Sequence, residues 1–256
     1  MTQITPADPV QIDNPTGRSA AVLVCEHASC NIPAALAGLG LSQDARQSHA
    51  AWDPGALAVA QRMSQRLDAV LVSSTVSRLV YDCNRPPSAP DAMPAKSEVF
   101  DVPGNVGLTQ AARDARTNAY YLPFQTALAA QIAKMHAPII VTIHSFTPVY
   151  HGQARAVEIG VLHDDDTRLA DAMLETAAAH TSALVLRNDP YGPENGVTHT
   201  LREHALPGGH LNVMLEVRND LIATPATQTA MGDMIAAWVA DSVSQITDQG
   251  AVQCVA

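Results

Sequence analysis

Few of the 256 residues are aromatic (4%) or charged (16%), and cations are the scarcer sign, with 15 Lys and Arg against 25 Asp and Glu and a formal charge of −10. A nucleic acid or an anionic membrane is bound through a basic patch, so neither is expected as a partner. A small anionic molecule remains compatible if a few arginines are brought together locally. No run of about 18 apolar residues is present to cross a bilayer. Met1–Arg18 carries three prolines and polar residues but no apolar stretch of the signal-peptide kind, which leads to the expectation of a cytoplasmic protein. The four cysteines, Cys25, Cys30, Cys83 and Cys254, show neither a CxxC spacing nor the density of a disulfide framework. Cys25 and Cys83 fall at or just after apolar stretches and read as buried thiols. With 47% hydrophobic residues and few rings, the core is expected to be aliphatic. The length suits one domain over residues 1–256.

What is present is an alternation of strand and helix patterns. Residues 1–18 read as an extended arm, and Ser19–Cys25 as the first strand. Asp53-Pro54 has the form of a helix start, with Asp as N-cap and Pro in the first helical position. Leu57, Ala60, Met63, Ser64 and Leu67 supply the apolar stripe that follows. Ala69–Ser73 reads as a strand and Arg78–Tyr81 as another short one. The proline-rich stretch from Pro86 to Gly107 is too long for an ordinary connection, as functional lids are. Thr109 caps a long helix over residues 109–135. Ile139–Ile143 is an uncharged β-branched run and reads as a strand buried on both faces. Ala156–Leu162 and Ala183–Leu186 are further strands, on either side of a helix over Thr167–Thr181. Asp164-Asp165-Asp166 leads that helix, where negative charge is favourable. After a second long loop, Pro190–Gly209, comes the last strand, Leu211–Val217, and Thr224-Pro225 opens a helix to about Ile246. The fold class implied is α/β: a three-layer sandwich of a mostly parallel mixed sheet with helices on both faces.

Chemistry gathers at the carboxyl ends of strands in such sheets. His144 stands at the end of the Ile139–Ile143 run, and His27 follows the first strand in Val24-Cys25-Glu26-His27. Glu216 interrupts the apolar strand Leu211–Val217, and a carboxylate is costly to bury there without a partner. An ion pair with Arg218 or a shared place in a pocket both account for it. Two histidines and carboxylates at the ends of different strands are the donor set of a catalytic zinc, with a coordination position left for water.

The local segments also resemble known hydrolases. Ile143-His144-Ser145-Phe146 is similar to the strand-end Ile-His-Ser-Tyr that carries a zinc-binding histidine in zinc carboxypeptidases. Glu216-Val217-Arg218-Asn219-Asp220 resembles their Glu-Leu-Arg-Asp segment with its general base. Arg78-Leu79-Val80-Tyr81-Asp82-Cys83-Asn84-Arg85 looks like the Arg…Asp-Leu-Asn-Arg segment of the related aspartoacylases. The fuller resemblance is to the N-formylglutamate amidohydrolase family. It runs in order through Glu26-His27-Ala28-Ser29, Ala51-Trp52-Asp53-Pro54-Gly55-Ala56, Ser77–Pro86, the His144 strand and Glu216–Asp220.

This resemblance implies a zinc-carboxypeptidase-like fold and one zinc ion per chain. The substrate implied is a small anionic N-acyl amino acid such as N-formyl-L-glutamate. It further implies His27, Asp53 and His144 as metal ligands, Glu216 as general base and Arg78 as the group facing the oxyanion. Asn84 and Arg85 would grip a substrate carboxylate, with Arg218 as a second contact. His199 is the loop histidine expected to enter the pocket. The pattern departs from the relatives at one point: His27 is followed by Ala28-Ser29-Cys30, where zinc carboxypeptidases and aspartoacylases have His-x-x-Glu. Asp53 takes the vacant role in this reading, with Cys30, Glu26 and His49 as alternatives. Two further functions stay open, a zinc hydrolase of another N-acyl amino acid or cell-wall peptide, and a non-catalytic binder of an acidic metabolite.

Overall fold

The β-branched run of residues 139–143 lies in the middle of the main sheet. The computed structural model describes residues 8–247 and 252–255. Its strands are Val10–Asp13 (β1), Ala21–Cys25 (β2), Val70–Ser74 (β3), Lys96–Ser97 (β4), Phe100–Asp101 (β5), Ile139–Phe146 (β6), Val149–Tyr150 (β7), Gln153–Ala154 (β8), Ile159–Leu162 (β9), Val185–Arg187 (β10) and Asn212–Arg218 (β11). Seven of these described strands form one sheet in the order β1-β3-β2-β6-β11-β9-β10, while β4-β5 and β7-β8 are separate hairpins. The ladders β3-β2, β2-β6, β6-β11 and β9-β10 are parallel. Those of β1 with β3 and of β9 with β11 are antiparallel. Every residue of β6 is buried, as its composition requires.

The helices are Gln43–Gln47 (α1), Ala56–Leu67 (α2), Gln110–Arg116 (α3), Leu122–Ile132 (α4), Arg168–His180 (α5), His199–His204 (α6) and Pro225–Ile246 (α7). A π-helical turn, Thr117–Tyr121, joins α3 to α4, so the long helix expected there is continuous. Thr109 Oγ1 accepts from the Ala112 N–H at its start. Thr224 Oγ1 accepts from the Thr227 N–H at the start of α7. Alternation along the strands separates two cores. Ala21, Leu23 and Cys25 of β2 and Ile139, Val141 and Ile143 of β6 share a core with α2, α5 and α7. Val22, Val24, Ile140 and Met214 pack instead with Phe124 and Leu128 of α4 and Leu201 of α6. Helices on both faces of a mixed sheet give the three layers expected. No described helix is long and apolar enough to cross a membrane.

Four local expectations change. Part of the N-terminal arm is the edge strand β1, whose backbone pairs with β3; residues 1–7 lie outside the described residues. Arg78–Tyr81 is a turn, not a strand: Leu79 and Val80 are buried in a small core with Leu39, Ala51, Val76 and Val102. There the Leu79 carbonyl accepts from Asn105 Nδ2 at 2.8 Å and the Val80 carbonyl from Arg116. The α2 helix starts at Ala56, after Asp53, whose side chain does not cap it. Within the acidic run, Asp164 is buried under α6, paired with Arg202 Nε at 2.6 Å and bonded by Thr198.

Candidate metal centre and cavity

Three strands and one turn bring the site together. Glu216 of β11 stands opposite His144 of β6 in the parallel ladder, so both side chains leave the same face of the sheet. His27 lies just past β2. Asp53 is held beside it by its own N–H, which donates to the His27 carbonyl at 3.0 Å. The next turn depends on Gly55, with φ of 85°: a Cβ at that position would stand 2.7 Å from the Ile222 carbonyl. That glycine lets the chain enter α2 while the Asp53 carboxylate turns back into the site.

Asp53 Oδ2 is 3.2 Å from His27 Nδ1 and 2.9 Å from His144 Nδ1, and the two Nδ1 atoms are 3.2 Å apart. The outward nitrogens face carboxylates. His27 Nε2 donates to Asp82 Oδ1 at 2.7 Å, and His144 Nε2 is 3.0 Å from Glu26 Oε2. A proton held on each Nε2 leaves each neutral ring with a lone pair on Nδ1. Two such lone pairs and a carboxylate oxygen, converging at about 3 Å, repel one another unless a cation stands among them. This is the donor arrangement of a metal site, with carboxylates fixing the histidine tautomers from behind. His27, Asp53 and His144, all buried, form a group able to hold a metal ion.

The charges agree with the geometry. Burial alone would raise the Glu26, Asp53 and Asp82 carboxyls, but the facing histidines hold all three below their ordinary range. The Arg78 guanidinium lies against two of them, at 3.3 Å from Asp53 Oδ1 and 3.6 Å from Asp82 Oδ2. Against their burial, the same carboxylates raise both histidines, His144 well above its ordinary value, so the cluster favours bound positive charge, which a metal ion can supply in place of the ring protons. Glu216 behaves differently. Burial pushes its carboxyl up to about 7, and its Oε2 has no hydrogen-bond partner among the described residues.

A cavity of about 500 Å³ opens over this cluster, and its lining includes His27, Asp53, Arg78 and Glu216. The proline-rich stretch supplies one wall as the β4-β5 hairpin, through Ser97 and Glu98. Asn84 and Arg85 also line it, with their polar atoms turned to the 190–209 segment. Asn84 Nδ2 donates to the Val197 carbonyl at 2.5 Å, and its Oδ1 accepts from the Thr200 N–H at 2.9 Å. Arg85 pairs with Asp91 at 2.8 Å and donates to the carbonyls of Asn195 and Gly196.

The remaining candidates are placed elsewhere. Arg218 does not reach the cavity: its guanidinium lies 2.8 Å from Asp220 and 3.3 Å from Glu158, because β11 ends there and the chain bends into the turn Asn219–Ile222. It makes no pair with Glu216. His199 sits on α6, bonded to the Tyr121 hydroxyl at 2.7 Å and outside the cavity lining. Cys30 lines a separate hollow with Gln43 and Arg46, Glu26 supports His144 from behind, and His49 pairs with Glu98 at 2.5 Å in the cavity wall. Asp82, which reading the sequence left without a role, fixes His27; the available signal was a carboxylate in the otherwise apolar stretch Leu79–Cys83.

Residues 19–223 match the model of the N-formylglutamate amidohydrolase family. The chain is similar to a gene product of Agrobacterium tumefaciens of known crystal structure, at 55% identity and a TM-score of 0.92, over 94% of this chain and 96% of that one. It is also similar to a crystal structure of N-formylglutamate amidohydrolase from Ralstonia eutropha JMP134. That likeness, at 19% identity and a TM-score of 0.57 over 91% of this chain and 98% of that one, is one of fold. A comparison with curated proteins gives no match.

Proposed function

The chain belongs to the N-formylglutamate amidohydrolase family, and from this we propose that it is a metal-dependent hydrolase of the N-acyl bond of a small acidic amino acid, N-formyl-L-glutamate in the first place. The observation that carries the reading is the buried carboxylate of Glu216, unpartnered at Oε2 among the described residues and opening on the same cavity as His27 and Asp53 of the cluster. His27 and His144 through Nδ1, and Asp53 through Oδ2, would hold one divalent ion, zinc by the character of the donors. A metal bound there would supply Lewis acidity to the acyl carbonyl and ease the deprotonation of water.

The chain's own residues do the rest. Glu216 takes a proton from the attacking water as its oxygen adds to the acyl carbon. Arg78 presents N–H donors toward the charge that develops on the acyl oxygen, in a place where Asp53 and Asp82 fix its orientation. Cleavage of the C–N bond then returns the proton from Glu216 to the departing amine. The products are formate and the free amino acid. Asn84 and Arg85 hold the 195–200 segment that walls the cavity, leaving Arg85 as a contact only where a substrate carboxylate displaces a loop carbonyl. Arg218 and His199 have no part in this step.

The test is a panel of N-acyl amino acids, N-formyl-L-glutamate among them, assayed with purified zinc-loaded protein. Fastest turnover of the acidic N-formyl compound is the expected result; turnover of none of the panel refutes the amidohydrolase reading. A second expectation concerns Asp82. Asp82→Asn keeps the shape but weakens the hold on the His27 tautomer, and metal affinity should fall by about 10–100-fold. Competition with a chelator of known affinity measures this, and an unchanged affinity would remove Asp82 from the site's support.

A further inference from the structure

Three arginines line the cavity, and two are committed to partners. Arg78 faces Asp53 and Asp82, and Arg85 faces Asp91 and the loop carbonyls. Arg155, in the segment that follows the β7-β8 hairpin, has no carboxylate partner among the described residues. Its contacts are the Tyr191 hydroxyl at 2.9 Å and the Thr147 carbonyl at 3.4 Å. The guanidinium carbon lies over three rings, 5.5 Å from the centre of Phe146, 4.5 Å from Tyr150 and 4.9 Å from Tyr191. Ring faces attract a cation and fix its plane without neutralising its charge. A guanidinium held this way is a ready-made fork for a carboxylate.

Its neighbours in the cavity distinguish between the two carboxylates of an acidic N-acyl amino acid. The α-carboxylate is one carbon from the scissile nitrogen and must sit beside Glu216 and Arg78. Arg155 contacts neither of these groups and is linked to them through Tyr191. Tyr191 stands between, bonded to Arg155, with its hydroxyl pushed up first by burial and then by the charge of Glu216. The rings of Phe146, Tyr150 and Tyr191 line the same cavity beside Arg155, where methylene groups pack favourably.

We propose that Arg155 is the residue that sets substrate specificity, by binding the side-chain carboxylate of the acidic substrate. The inference rests on the amidohydrolase reading and names the part of the substrate that this cavity selects. Its charge is the counterweight that a chain of formal charge −10 needs in order to admit a dianion.

The test compares zinc-loaded wild type, Arg155→Ala and Arg155→Lys on N-formyl-L-glutamate and N-formyl-L-glutamine, which differ only in the side-chain carboxylate. Arg155→Ala should lower kcat/KM for the glutamate compound by about 10²-fold, chiefly through KM, and change that for the glutamine compound by less than about 3-fold. Arg155→Lys should restore part of the preference. A parallel fall on both substrates, or no change on either, overturns the proposal, the first outcome by showing a structural role for the hairpin. Calorimetric binding of N-acetyl-L-glutamate and N-acetyl-L-glutamine to the same three proteins reads the preference without turnover. If wild type hydrolyses neither formyl compound, the amidohydrolase reading fails, while loss of the glutamate preference in binding on Arg155→Ala still supports the anchor and equal affinities still overturn it.

Discussion

Glu216→Gln is expected to retain the metal and bind substrate nearly as wild type does, while kcat falls by roughly 10²–10⁴-fold. Glutamine keeps the size of the side chain and most of its hydrogen bonding, but it cannot accept a proton. The carboxylate is buried, free of partners at Oε2, and one strand away from His144. Burial lifts its pKa to about 7, where a group can both take and return a proton near neutrality. Two other roles were open to a carboxylate in an apolar strand. A salt bridge with Arg218 is absent, since that guanidinium is turned to Asp220 and Glu158. A role as fourth metal ligand would show as loss of metal in the Gln variant. Near-normal kcat in that variant would leave the reaction without its base and refute the assignment.

His144→Ala is expected to lose both metal and activity, because a site of three ligands seldom survives the removal of one. The loss also leaves Glu26 and Asp53 buried without the ring that separates them. Breaking a buried pair on one side costs about 3–5 kcal/mol, so a lowered melting temperature should accompany the loss of metal. Cys30→Ser is the control: Cys30 lines a different hollow, and its loss should leave metal content unchanged. Elemental analysis of the two variants decides the matter. Metal retained in His144→Ala would remove His144 from the site, and metal lost in Cys30→Ser would put the thiolate in the place given to Asp53.

The parts legible in the sequence were those where a residue violates its surroundings. His144 and Glu216 each stand out against an apolar strand, and the parallel register of β6 and β11 places them on one face. Asp53 stood out through the Asp-Pro-Gly turn, although its expected duty as a helix cap gave way to the pull of two histidines. The edge strand β1 was hidden because Val10-Gln11-Ile12-Asp13 lies between prolines and is held by backbone pairing, which leaves no mark on composition. Arg78–Tyr81 misled for the opposite reason. Its apolar residues are buried in a turn whose carbonyls are satisfied by Asn105 and Arg116, so burial occurs there without a strand. Arg85 and Arg218 were read by motif, and their donors are engaged by the nearby carboxylates Asp91 and Asp220 together with distant groups, the carbonyls of Asn195 and Gly196 and the Glu158 carboxylate. Arg155 escaped notice because Phe146, Tyr150 and Tyr191 meet around it only in three dimensions.

The most direct test of the central claim is a metal titration of the chelator-stripped wild-type protein, followed through both binding stoichiometry and turnover of N-formyl-L-glutamate. The expected result is one divalent ion bound per chain, with turnover absent before addition and rising in proportion to occupancy until the site is full. Full turnover by the stripped protein, or saturation of a metal site with no turnover at any occupancy, would contradict the assignment of His27, Asp53 and His144 as the metal centre of an amidohydrolase.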